Sequence, residues 1–193
     1  MKRFIICFVG VAMLATVSFA EVETYKIDPV HSSVGFRIRH FFSKVPGTFN
    51  DFEGKIAIDS ANISKSIAEA TIKTASIDTA NEKRDEHLKG ADFFDAEKHP
   101  TITFKSSAWK QVEKGAYDVT GDLTMHGVTK PVTLRVKALG SGPAMGGVRG
   151  GWEATTTLDR TAFGITYNSV VEGTSVLGNE VEITLNIEGV KQK

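Results

Sequence analysis

The sequence predicts an all-β protein: an eight-stranded antiparallel barrel with a short helical insertion covering one end. Three observations carry that expectation. Apolar and polar residues alternate with period two along most of the chain, the pattern of strands with one dry face. The runs are joined by short connections rich in turn residues. Eight such runs are present, and eight is the strand number whose closed interior holds side chains or one slender ligand.

The first run places Val34, Phe36, Ile38 and His40 on one face and Arg37 and Arg39 on the other. The second has Phe52, Gly54, Ile56 and Ile58 inward; Phe49 breaks parity with them, which predicts a bulge near Asn50-Asp51. Ala68, Ala70 and Ile72 make the inner set of the third, Ile102 and Phe104 of the fourth, and Tyr117, Val119, Gly121 and Leu123 of the fifth. The sixth runs from Val132 to Ala138, the seventh carries Trp152, Ala154, Thr156 and Leu158, and the eighth Val181, Ile183, Leu185 and Ile187. The clearest hairpin is Gly121–Val136, with Leu123 and Met125 facing Val132, Leu134 and Val136, Gly127 in the turn and Pro131 at the start of the return strand.

Two segments interrupt the meander. Thr79-Ala80-Asn81-Glu82 fits a capping box with Thr79 as cap, so a helix is expected to about Lys89 with its stop at Gly90. Phe93 and Phe94 come directly after it, and the insertion is expected to cover a barrel end. Residues Arg160–Asn179 lack a clear period but hold Phe163, Ile165, Tyr167, Val170, Val171, Val176 and Leu177, which suggests a lid over the barrel. Gly140–Gly147 reads as a loose hairpin connection, since it lacks the Gly-Lys-Ser/Thr ending of a phosphate cradle.

The first twenty residues are set apart. Lys2 and Arg3 precede an uncharged apolar run, Phe4–Val17, and Ser18-Phe19-Ala20 supplies the small residues of a cleavage site. The run is short for a membrane anchor and no basic stop-transfer comes after it. A cleaved signal over residues 1–20 is expected, then one domain over 21–193, in the periplasm or outside a bacterial cell. Cys7, the one cysteine, lies in the signal, which leaves no disulfide or catalytic thiol after cleavage. The 23 basic and 23 acidic residues balance, and no basic patch points to nucleic acid.

Catalytic motifs are missing. His31, His40, His87, His99 and His126 show no paired-ligand spacing, so no metal is expected. Ser32 beside His31 has no nucleophile elbow around it. The acids between Asp78 and Glu97 are interleaved with Lys83, Arg84 and Lys89, as on a solvated helix face. His40 is inward near a strand end, where it meets either a polar headgroup or a buried backbone carbonyl.

Strand parity then assigns the interior wall. The candidate ligand-lining residues are Val34, Phe36, Ile38, His40, Phe52, Ile56, Ala70, Ile72, Phe104, Val119, Leu134, Ala138, Trp152, Ala154 and Ile183, with Phe94 and Phe163 from the covering segments. Small inward residues beside bulky ones leave room for a ligand; a solid core is the alternative.

Several stretches in chain order resemble the YceI-like family of secreted lipid-binding proteins: Ile27–Phe36, Arg39-His40, Gly47–Phe49 to Gly54, His87-Leu88, Asp92–Asp95, His99–Phe104, Gly121–Thr124, Pro131-Val132 and the Arg160–Gly164 turn. Tyr25 stands where the family pattern suggests Trp. The resemblance implies a lipocalin-like extended barrel holding a long apolar chain, such as a polyisoprenoid, an isoprenoid quinone or a fatty amide or acid. It implies no catalytic residues and no cofactor. Transport or scavenging is the expected task, with transient membrane contact and either a monomer or a homodimer. A structural or adhesive barrel with a filled core, and a hydrolase, are the rival readings.

Overall fold

The structure is a computed structural model that describes residues 22–171 and 173–193. The expected signal segment, residues 1–20, lies outside the described residues. Strands are β1 (Val22–Ile27), β2 (Ser33–His40), β3 (Ser43–Phe49), β4 (Phe52–Asp59), β5 (Ile67–Lys73), β6 (Ile77–Asp78), β7 (Thr101–Glu113), β8 (Ala116–Met125), β9 (Val128–Ala144), β10 (Gly147–Asp159), β11 (Val170–Val171), β12 (Thr174–Ser175) and β13 (Leu177–Lys191). Helix α1 spans Glu82–Lys89.

These segments form a closed eight-stranded antiparallel barrel, because three of its strands are each broken once. β1 and β2 run end to end along β13, with Ile27 opposite Gly189 and Ser33 opposite Asn186. β3 and β4 run back along them, and β5 and β6 form the third broken strand. β7, β8, β9, β10 and β13 continue as a meander, and β13 closes the ring on β1 and β2. The parity break at Phe49 is thus the end of β3. Phe49 and Phe52 are both buried, which an unbroken strand of period two cannot achieve. The neighbouring strands break at the same level, at Asp28–Ser32 and in the 3₁₀ turn Thr74–Ser76. The gaps are bridged: Asn50 N donates to Ser76 O at 3.1 Å and Lys73 N to Asp51 O at 2.8 Å.

The central hairpin turns on His126-Gly127, with Met125 opposite Val128 and φ of 51° and 73° at the two turn residues. Positive φ at both positions is the two-residue turn whose twist suits a hairpin, and glycine adopts it without strain. Pro131 corrects the expectation for it, since it lies inside β9 opposite Asp122. Hydrogen-bonded pairs alternate from Met125–Val128, so the nitrogen of Pro131 points away from β8 and no ladder bond to β8 is lost. On that other side, β10 joins β9 only from Arg135 onward, and among the described residues Val128–Leu134 pairs with no strand there. Gly140–Gly147 is also shorter as a connection than expected. β9 and β10 extend through it and leave only Met145-Gly146 as the turn.

The insertion differs in its cap. Asn81, not Thr79, is the N-cap, and its side chain accepts from Arg84 N at 3.0 Å. Thr79 is instead buried and donates to Asp85 Oδ1 through both its amide, at 2.9 Å, and its hydroxyl, at 2.5 Å. The helix stops at Gly90.

Candidate functional site

The barrel interior divides into two apolar clusters. One contains Tyr25, Ile56, Trp109, Val119, Val136, Trp152 and Ala154, and its large rings fill that half of the barrel. Tyr25 meets Trp152 edge-on at 5.1 Å, and Trp109 Nε1 donates to Ser106 Oγ at 3.3 Å. The small inward residues are part of this fill. A Cβ on Gly121 would meet Lys105 O at 2.5 Å and Phe104 Cζ at 2.7 Å, so glycine here marks a close approach, not free space.

The other cluster, which includes Phe49, Phe93, Met125, Phe163 and Ile165, surrounds a cavity of about 400 Å³. Its wall comes from Phe36, Ile38 and His40 of β2, Val45 and Phe49 of β3, and Val181 and Ile183 of β13. Leu88, Phe93 and Phe94 of the insertion cover it, together with Ile165, Tyr167 and Val176 of the segment after β10 and Leu177 at the start of β13. At roughly 30 Å³ for each water-sized group, the space holds about thirteen methylene-sized groups.

Of the residues that parity assigned to the ligand wall, the structure brings Phe36, Ile38, His40, Phe94 and Ile183 onto the cavity. The remainder lie elsewhere. Val34, Phe52 and Phe163 are buried in the cluster around the cavity and Ile72 packs against it, without lining the space. Ile56, Val119, Trp152 and Ala154 belong to the filled half, with Phe104, Leu134 and Ala138 packed on it. Ala70 sits between Gly54 and Phe104 on the neighbouring strands. The reason is steric: parity selects the inner face of every strand, while the tryptophans decide which half of that face is occupied.

Polar groups on the wall are few, and the two with a permanent charge are arginines. Arg84, Arg160, His40, His87, Thr79 and Ser169 line the cavity, and among the described residues no aspartate or glutamate does. Arg84 is held by Thr79, with Nε donating to Oγ1 and Nη2 to the carbonyl oxygen, each at 2.7 Å. His87 packs edge-on against Phe93 and Tyr167 and pairs with Asp92 at 3.0 Å through Nε2. Arg160 was not singled out in the sequence and is 4% exposed. It donates from Nε to Gly178 O at 2.9 Å and from Nη1 to Ile165 O and Tyr167 O at 2.8 Å each, tying together the covering segment. Burial pulls its pKa down, with Asp159 opposing.

A second polar group lies outside the cavity, at the break between β1 and β2. Asp28, His31 and Glu188 converge there within 4.8 Å. Arg149 Nη1 sits among them, 2.7 Å from Asp28 Oδ2 and 2.5 Å from Glu188 Oε1, and His31 Nδ1 is 2.8 Å from Asp28 Oδ2. The guanidinium already supplies the positive charge that a metal would bring. It holds the Asp28 carboxyl down at a pKa of about 2, with His31 assisting. Ser32 completes the repair of the broken strand by accepting from Glu188 N at 2.9 Å.

Known proteins share this architecture. A UPF0312 protein of Ectopseudomonas mendocina is 43% identical over 177 residues, 90% of each chain. The crystal structure of Burkholderia cenocepacia BcnA superposes with a TM-score of 0.74 at 28% identity, over 84% of this chain and 98% of that one. A polyisoprenoid binding domain from Saccharophagus degradans, implicated in plant cell wall breakdown, has the same fold at 13% identity and a TM-score of 0.65, covering 87% of this chain and 98% of its own. The family model for the YceI-like domain matches residues 25–189, which takes in the whole ring of strands from Tyr25 to the closing strand β13, and the chain belongs to that family.

Proposed function

We propose that this barrel binds the tail of a long-chain apolar lipid in its half-empty interior and carries or scavenges that lipid without chemical change. The carrying observation is the apolar cavity of about 400 Å³ walled by β2, β3 and β13 and covered by the insertion. About thirteen methylene-sized groups buried there give roughly 10 kcal/mol relative to water, at about 0.8 each. That is enough to hold a tail, yet low enough for release to a membrane. A longer isoprenoid would extend beyond the cavity. The Saccharophagus domain, described as polyisoprenoid-binding, supports the tail class through the shared fold. Phe42 is 98% exposed at the β2–β3 turn, and Val170 and Val171 of the covering segment are exposed too, apolar groups suited to transient membrane contact. Phe41 N donates to Val176 O, which joins that turn to the cavity wall. The signal-like leader supports action in the periplasm or outside the cell.

The test is mass spectrometry of an organic extract of protein purified from its native compartment without detergent. A stoichiometric apolar chain is expected. A lipid-free protein that also takes up no added chain would return it to the structural class, and turnover of an ester or amide by purified protein would make it a hydrolase.

A further inference from the structure

We propose that the cavity selects chains whose head carries an anionic oxygen, a carboxylate in the simplest case, and that Arg160 receives that head. The inference deepens the lipid-binding reading and rests on it. Arg160 is a buried cation on the cavity wall, and among the described residues no carboxylate forms an ion pair with it, Asp159 acting only through its field. Three of its N–H bonds go to neutral carbonyls, and Nη2 is buried with no partner. A buried charge is costly unless paired, and a buried donor left empty adds to that cost.

A neutral side chain could tie the covering segment at less cost, so the fork of an arginine needs another reason. The wall around it supplies one: Arg84, His40 and His87 share the cavity, and among the described residues no aspartate or glutamate lines it, Asp92, the partner of His87, lying outside. The N–H groups of Nη2 remain free, and a cationic donor of this kind bonds a carboxylate or phosphate oxygen more strongly than a neutral head. With its head at Arg160 and a tail of about a dozen carbons in the remaining space, an ionised fatty acid supplies both missing partners.

The test compares heads at constant tail. Delipidated protein is titrated by calorimetry with dodecanoate, dodecyl phosphate, dodecanol and dodecyltrimethylammonium, each below its micelle concentration. The two anions should bind at least tenfold more tightly than the alcohol, and the cation should bind weakest. The tighter anion tells a fatty acid from a phosphate-headed lipid. Equal affinity for all four overturns the head assignment and leaves the tail reading standing; no binding by any overturns both. In Arg160→Met, if its near-ultraviolet circular dichroism matches the wild type, the anion preference should fall below about threefold, the factor of ten being worth about 1.4 kcal/mol. A preference that survives in the folded variant refutes the role of Arg160. If that variant does not fold, the head series on the natural protein decides alone.

Discussion

Replacing Ile38 by Trp probes the division of the barrel into a filled and an empty half. Ile38 lies between Val45 and Val181 on the cavity wall. The indole adds about six non-hydrogen atoms, so room for about thirteen methylene-sized groups falls by roughly half. A tail shortened by about six methylenes loses roughly 5 kcal/mol of gross burial, which predicts that dodecanoate binding weakens by at least a hundredfold. Stability should hold or rise, because the new ring occupies space that lacked contacts. Ala154→Phe is the companion. Ala154 is 6% exposed in the filled half, so the same kind of enlargement should overpack it and cost about 1–3 kcal/mol, with tail binding retained by the folded fraction. Tail affinity by calorimetry and urea midpoints on delipidated protein separate the two effects. If Ile38→Trp binds the tail as tightly as the natural protein, or if Ala154→Phe is the variant that abolishes binding while holding its midpoint, the cavity lies elsewhere and the assignment of halves fails.

Local geometry sets two further outcomes. Gly121→Ala should lower the urea midpoint by an amount corresponding to about 1–3 kcal/mol, whereas Gly147→Ala, whose Cβ meets nothing within 4 Å, should change it little; equal effects would show that the filled half yields to the added methyl. Arg149→Gln should return the Asp28 carboxyl toward its ordinary value of 3.8 from about 2, as read by carbon NMR of the side chain. The depressed pKa favours the fold above the ordinary carboxylate range, and that contribution is lost as pH falls through about 2. The variant should therefore begin acid unfolding at a higher pH than the natural protein, and an unchanged acid transition would show that the ion pair is energetically idle.

Period-two alternation made the barrel legible, because each strand has one wet and one dry face. The breaks in the first three strands were only partly so. Phe49 and Phe52 betrayed one by their parity, but Asp28–Ser32 and Thr74–Ser76 have no apolar pair of that kind, and alternation did not separate β1 from β2. The ligand wall was less legible still. Alternation is blind to position along the barrel axis, so Ala154 and Ile183 looked equivalent until Trp109 and Trp152 were seen to occupy one end. Arg160 was invisible for a different reason: its burial depends on carbonyls at Ile165, Tyr167 and Gly178 that a loop folds back to it. An arginine opening an apolar, turn-rich segment was the available signal.

The stretch of β9 that β10 leaves uncovered bears on how the molecule behaves among its own copies. An open row of backbone donors and acceptors beside an apolar interior invites a strand from another chain, the usual route to domain swapping and ordered aggregates. Here the row is Val128–Leu134, and its middle is Lys130-Pro131. The proline nitrogen points to the uncovered side and offers no hydrogen there, so an incoming strand would find a missing rung at the centre of its template. The adjacent lysine charge discourages stacking of identical edges. The uncovered edge thus disfavours growth of the sheet from one molecule into the next.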